Sequence, residues 1–157
     1  MGCFKDFTKM KIVAENQTSS LAIVITATDE VPEQMYSSMM LWVSVTDEGF
    51  TGARDGVCVL AEDLAKFAAD LNLCEQTRKG KASLSSISPG ELELTIEQSD
   101  GWGHFLLRYT LSKPFCSLYS RSGLLDKSVS GGFDLDSGKI GEIVRDFDGL
   151  IGTNTPP

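Results

Sequence analysis

The sequence predicts an α+β fold: a mostly antiparallel sheet or sandwich of about 7–8 strands carrying two amphipathic helices, at about residues 61–73 and 137–151. Three observations favour this fold. A strand that runs directly into a helix occurs twice, the segments between alternate apolar and polar residues, and the helices follow hairpins instead of alternating regularly with strands. The 157 residues suit a single domain over residues 1–152, followed by a disordered tail at 153–157.

The two strand–helix units span Gly56–Leu71 and Gly132–Phe147, and they can be laid over each other without a gap. In both, apolar residues alternate along a strand and then follow the i, i+3, i+4, i+7 spacing of one helical face. The matched apolar pairs are Val57 with Phe133, Val59 with Leu135, Leu64 with Ile140, Phe67 with Ile143, Ala68 with Val144 and Leu71 with Phe147. The repeat indicates two similar units attached to an otherwise β-rich body.

Three strands are predicted ahead of the first unit from β-branched content and alternation. They lie at about Met10–Ala14, Leu21–Thr28 and Met39–Thr46. Pro32 ends the second, because proline cannot continue a ladder. After the third, Asp47-Glu48-Gly49 predicts a tight turn, and the chain returns through Phe50–Leu60 into the first helix. We expect that helix to end near Asn72–Cys74, before a charged loop at 75–81.

The clearest hairpin follows a short strand around Ala82–Leu84 and turns at Asp100-Gly101-Trp102-Gly103. If Ser99 pairs with His104, one register sorts both strands into an apolar and a mostly polar face, which a one-residue slip would mix. That register opposes Ile96 to Leu107, Leu94 to Tyr109, Leu92 to Leu111, Glu97 to Leu106, Thr95 to Arg108 and Glu93 to Thr110.

The remainder is less regular. Lys113-Pro114 is expected to end the hairpin, and residues 115–128 to form a loop. Val129–Leu135 is the last predicted strand, and Asp136 or Ser137 is predicted to cap the closing helix.

Composition limits the function. The formal net charge of −8 argues against nucleic acid, whose phosphates would be repelled, and is compatible with a basic protein partner. The longest apolar run, Leu21–Ile25, is far shorter than a membrane helix, and no secretory signal is recognised, so we expect a cytoplasmic protein.

No cofactor or metal is expected. The four cysteines are far apart and lack metal or redox spacing, which favours reduced, partly buried side chains. Asp134 and Asp136 lack the glycine and terminal glutamate of a calcium loop. The glycine pairs do not open a helix with the lysine that a phosphate loop needs.

The candidate functional residues lie on the hairpin. His104 is the only histidine, with Asp100 as a possible partner; it is either a solvated turn residue, a contact residue beside Trp102, or a general base if it lies in a concave pocket. Glu91, Glu93 and Glu97 form an acidic row, either a solvated face balanced by Arg108 or a docking surface for a basic partner. No catalytic motif is present, and we expect no enzyme activity.

The sequence resembles the WapI-type immunity proteins, a family of small bacterial proteins. The resemblance rests on Leu60–Leu71, then Ala82–Leu94 with its Pro-Gly-Glu-Leu turn, then Gly103-His104, and Gly132–Ser137 before the closing helix. It covers roughly residues 40–150, while the first 38 residues match nothing known. It implies that the chain binds and neutralises a cognate toxin, often a nuclease, and it carries over no catalytic residues.

The leading hypothesis is therefore an acidic immunity protein whose partner-binding residues are Glu91, Glu93, Glu97, Trp102 and His104. The alternative is a structural or ligand-binding module, in which an exposed sheet face with Trp42 forms a homodimer.

Overall fold

The computed structural model describes residues 9–29, 38–116 and 124–152. These residues form two four-stranded antiparallel sheets and two α-helices, which confirms the predicted α+β fold. The first sheet contains β1 (Lys9–Val13), β2 (Ser20–Asp29), β3 (Ser38–Asp47) and β4 (Phe50–Leu60), and the second contains β5 (Lys81–Ser85), β6 (Leu92–Gln98), β7 (Phe105–Cys116) and β8 (Leu124–Leu135). Helix α1 (Ala61–Thr77) joins the sheets, and a short 3₁₀ turn (Ser137–Lys139) leads into α2 (Ile140–Gly152).

Neighbouring strands in each sheet are neighbours in sequence, so every pairing is antiparallel. The predicted register of the β6–β7 hairpin is confirmed at all six opposed pairs, and the amide of Ser99 donates to the carbonyl of His104 at 2.8 Å. The Glu48–Gly49 turn between β3 and β4 takes positive φ at both residues, 47° and 89°. Positive φ at both central residues matches the twist of the flanking strands in a two-residue hairpin loop.

The sheets approach each other where β3 and β4 meet β7 and β8, and we call this line the intersheet seam. On the other side of the core, α1 contacts β5, α2 contacts β1, and the two helices contact each other. Phe67 and Phe147 meet edge to face there, with ring centroids 4.9 Å apart. The inner faces of both sheets and the apolar faces of both helices form one continuous core.

The predicted strand–helix repeat is confirmed, because all twelve matched apolar residues of the two units are buried in the core. The two units differ at the helix start. In the first, β4 leads into α1 without a break, and Leu60 makes no side-chain cap. In the second, the Asp136 carboxylate accepts the Gly138 amide at 2.9 Å and starts the 3₁₀ turn. The predicted cap at Asp136 is thus present, one turn ahead of the α-helix.

The predicted end of α1 near Asn72–Cys74 is wrong, because the helix continues to Thr77. Arg78 ends it in the left-handed conformation, with φ 57°, and donates its amide to the Cys74 carbonyl at 2.8 Å. Residues 75–77 of the predicted loop form instead the last turn of the helix, and Lys81 begins β5.

The predicted hairpin end at Lys113-Pro114 is also wrong, because β7 and β8 pair from Cys116 opposite Leu124. Strand β6 pairs with β7 only as far as Leu111, so Pro114 lies where β7 has one neighbouring strand among the described residues. Proline is tolerated at such edge positions. Of the predicted 115–128 loop, residues 117–123 lie outside the described part, as do Pro32 and the predicted tail.

Candidate partner-binding surfaces

The hairpin tip, residues 100–104, is a compact turn organised by one carboxylate. Asp100 accepts the backbone amides of Trp102 at 2.8 Å and His104 at 3.4 Å with Oδ1, and its Oδ2 lies 2.5 Å from His104 Nδ1. Gly103 takes φ 85°, and a Cβ there would lie 3.6 Å from the Arg78 side chain at the end of α1. The tip therefore rests on the helix terminus, and it holds Trp102 with 88% of its surface exposed.

The predicted partnership of His104 with Asp100 is confirmed. The hydrogen bond and the negative charge of Asp100 raise the pKa of His104, and the charges of Glu15 and Asp134 raise it further. The same hydrogen bond lowers the pKa of Asp100. The His104 side chain is 59% exposed and lines neither of the two cavities described below.

The predicted acidic row is correct for two of its three residues. Glu93 is exposed, and Glu97 pairs with Arg108 at 2.8 Å, as expected. Glu91 precedes β6, and its carboxylate lies 3.1 Å from the Arg54 guanidinium with only 14% of the side chain exposed. Gly90, with φ 83°, turns the chain at this point, so Glu91 reaches across to β4 instead of joining the outer face.

Trp42 is half-buried and lies opposite Val24 on the outer face of the first sheet. Its proposed role in a homodimer stays a prediction. Cys58 is half-buried and Cys74 is buried; both are free thiols, and burial raises the pKa of Cys74. Within the described residues, no group of three or more His, Cys, Asp and Glu side chains could hold a metal ion.

An acidic cleft, which sequence reasoning missed, lies between the turns of the first sheet and strand β8, with a volume of about 840 Å³. Four carboxylates line it, from Glu15, Asp47, Glu48 and Asp134, and its described lining contains no lysine or arginine. Phe50 also lines it, with 72% of its surface exposed. The cleft thus combines negative charge with an exposed aromatic ring.

Asp47 is fixed at the base of this cleft. It accepts hydrogen bonds from Ser19 Oγ at 2.8 Å and from the Tyr109 hydroxyl at 2.6 Å, and the second of these joins the two sheets. Burial, together with this contact, raises the pKa of Tyr109. Gly131 leaves room for the arrangement, because a Cβ there would lie 2.8 Å from the Tyr109 hydroxyl.

The cleft could not be found from sequence spacing. Its carboxylates come from the β1–β2 turn, the β3–β4 turn and the end of β8, and only the packing of the sheets brings them together. The only local signal for the cleft was the turn predicted at Asp47-Glu48-Gly49. Nothing in the sequence indicated which other residues would lie beside that turn.

These features describe an acidic α+β protein whose distinctive residues lie on an exposed tip and in a surface cleft. A family model, described as the immunity protein WapI-like family, matches residues 15–152. Because the match covers most of the chain, the chain belongs to this family. It confirms the resemblance inferred from the sequence and extends it into the first 38 residues, which had seemed unrelated.

No curated protein and no solved structure matched the chain. In the described residues, neither helix is long and apolar enough to cross a membrane.

Proposed function

We propose that this chain is a non-catalytic immunity protein that binds a basic region of a cognate protein toxin and blocks its activity. Family membership supports the toxin-immunity role. The acidic cleft supports the choice of a basic partner, because four carboxylates line it and none of its described lining residues is basic. Complementary charge steers encounter and excludes wrong partners.

The hairpin tip extends the proposed surface. Asp134 of the cleft lies opposite Leu106, two residues beyond His104, and the charges of Glu15 and Asp134 act on His104. Trp102 and Phe50 are large exposed aromatic side chains, the type that most often anchors a protein interface. In this proposal they supply apolar contacts, while the cleft carboxylates and the polar face of β6, with Glu93 and Glu97, supply steering charge. Glu91 is left out, because its side chain is only 14% exposed and is turned toward Arg54 on β4.

The proposal is tested by expressing the product of the open reading frame that neighbours this chain's gene, as the candidate toxin, and measuring its association with the purified chain by stopped-flow fluorescence. The cleft variant carries Glu15→Lys and Glu48→Lys, and we expect association to slow by about tenfold or more at low salt. The tip variant, Trp102→Ala, should mainly accelerate dissociation, because it removes an apolar anchor rather than charge.

The matched control carries Asp146→Lys and Asp148→Lys, two exposed acids on α2 that change the net charge by the same amount. If the control slows association as much as the cleft variant does, the cleft is not the docking surface. If the unmodified chain neither binds nor inhibits the toxin, the immunity function itself is refuted. A turnover of toxin or substrate by the chain would refute the non-catalytic assignment.

A further inference from the structure

The intersheet seam contains a second cavity of opposite charge. This basic pocket, of about 200 Å³, is lined by residues 51–54 of β4, 111–113 of β7 and 127–129 of β8. Three of these residues are cationic, Arg54, Lys113 and Lys127, and none of the ten is acidic. Such a concentration is unexpected in a chain whose formal net charge is −8.

Arg54 points toward the second sheet because of a β-bulge. The register of β3 with β4 shifts between Leu41 and Val43, so that Arg54 lies opposite the buried Val43. Residues directly opposite on a ladder share a face, so Arg54 is placed on the inner face of its sheet. Gly56, with φ 70°, provides the irregular backbone of the bulge.

The Arg54 guanidinium is incompletely satisfied. Its Nη2 donates to Glu91 at 3.1 Å and its Nη1 to the Asp55 carbonyl at 2.7 Å. Its Nε is buried and meets no hydrogen-bond acceptor among the described residues. Buried donors of this kind are rare in native proteins, and a bound water or ion is one explanation for them.

The two lysines lie side by side at the pocket. Lys113 and Lys127 are directly opposed on β7 and β8, so their side chains leave the sheet on the same face. Lys113 lies two residues beyond the buried Leu111, on the same inner-facing side of its strand. Cationic side chains from the inner faces of both sheets therefore line the same cavity.

We propose that the basic pocket binds a small tetrahedral oxyanion, a phosphate group. A phosphate carries about −1.5 to −2 charges at pH 7 and has acceptor oxygens on several sides. It can therefore accept donors from three strands at once, from Arg54 of β4, Lys113 of β7 and Lys127 of β8, which line the pocket. The inference does not depend on toxin binding.

The probe is inorganic phosphate, titrated into the full chain at constant ionic strength and followed by amide and arginine Nε resonances in NMR spectra. We expect saturable shifts centred on Arg54, Ser112 and Ser128. The pocket variant, Lys113→Gln with Lys127→Gln, should bind phosphate about tenfold more weakly or worse. Without phosphate its NMR spectrum should remain that of a folded chain, so that weaker binding is not a loss of fold.

The control carries Lys11→Gln with Lys79→Gln, two exposed lysines that line neither cavity. It should keep the phosphate affinity of the parent chain. Ribose 5-phosphate is titrated separately: tighter binding than inorganic phosphate assigns the pocket to a phosphorylated metabolite, and weaker binding assigns it to the free ion. Shifts that do not saturate, equal binding of acetate, or an equal loss of affinity in the control would overturn the proposal.

Discussion

The hairpin tip and the intersheet seam are built in opposite ways. The tip is made of five consecutive residues and is held by hydrogen bonds from one carboxylate, Asp100. The seam is assembled from four strands and two turns, and it carries an acidic cleft beside a basic pocket. Ser128 and Val129 line both cavities, and Val129 packs against β4, where a Cβ on Gly52 would lie 2.5 Å from its Cγ1.

The contrast predicts where the effect of a substitution should stay local and where it should change the stability of the whole fold. At the tip a lost contact alters only a solvated turn, since His104 and Trp102 are both exposed. At the seam two polar contacts also tie one sheet to the other, Tyr109 with Asp47 and Arg54 with Glu91. Substitutions at the seam are therefore expected to change global stability, and those at the tip to change local chemistry.

The largest effect is expected for Gly132→Ala, in the lining of the acidic cleft. A Cβ at this position would lie 2.6 Å from the backbone carbonyl oxygen of Leu107, which cannot move without disturbing the β7–β8 ladder. Overpacking of this kind should lower the free energy of unfolding by about 1–3 kcal/mol, measured by urea denaturation.

Gly149→Ala is the matched control, because a Cβ there would meet no atom within 4 Å and the residue lies in α2. It should raise the free energy of unfolding by about 0.5–1 kcal/mol, since alanine favours the helix over glycine. If Gly132→Ala leaves the free energy of unfolding unchanged, the β7–β8 ladder tolerates a separation of its strands. Substitutions at the seam would then not change global stability as expected.

Tyr109→Phe should have an effect of similar size. The substitution keeps the buried ring and removes the 2.6 Å hydrogen bond to Asp47, an interaction with a charged group that is worth about 1.5–3 kcal/mol. Ser19→Ala removes the other side-chain donor to Asp47, at 2.8 Å. If the two substitutions act through Asp47, their effects in a double-mutant cycle will not add.

The difference between the parent chain and Tyr109→Phe should also depend on pH. Because the folded state raises the pKa of Tyr109, its contribution is fully present below the ordinary tyrosine pKa of about 10 and falls as pH rises above it. Stability curves of the two proteins should therefore converge in alkali. Parallel curves would show that the Tyr109 pKa is unchanged on folding.

The smallest effect on stability is expected at the tip. His104 is the only histidine, so its ring protons can be followed alone in an NMR titration. Asp100→Asn should bring the pKa of His104 down toward the ordinary value, and Asp134→Asn should lower it less, because Asp134 acts only through its charge. Equal shifts in the two variants would contradict the assignment of Asp100 as the main partner.

The pH range over which the His104–Asp100 pair stabilises the fold follows from the directions of the two pKa shifts. The pKa of His104 is raised, so the pair's stabilisation is present below about pH 6.5 and is lost as pH rises through the folded His104 pKa. The pKa of Asp100 is lowered, so the stabilisation is present above about pH 4 and is lost as pH falls through the folded Asp100 pKa.

The sequence by itself determined the strand faces, the two helical faces, the hairpin register and the exposed tip. These features depend on periods of two and 3.6 residues and on short turns, so neighbouring residues are sufficient to specify them. The family resemblance rested on the same local motifs, and it was confirmed over a longer part of the chain.

Only the tertiary structure decided which polar groups face each other between the sheets. The bulge at Gly56 turned Arg54 inward, Gly90 turned Glu91 toward it, and the approach of β8 to the β3–β4 turn enclosed the acidic cleft. A cavity is set by the distance and angle between two sheets, which no local period encodes. For that reason the exposed tip could be found from sequence, while the two charged cavities of the seam could not.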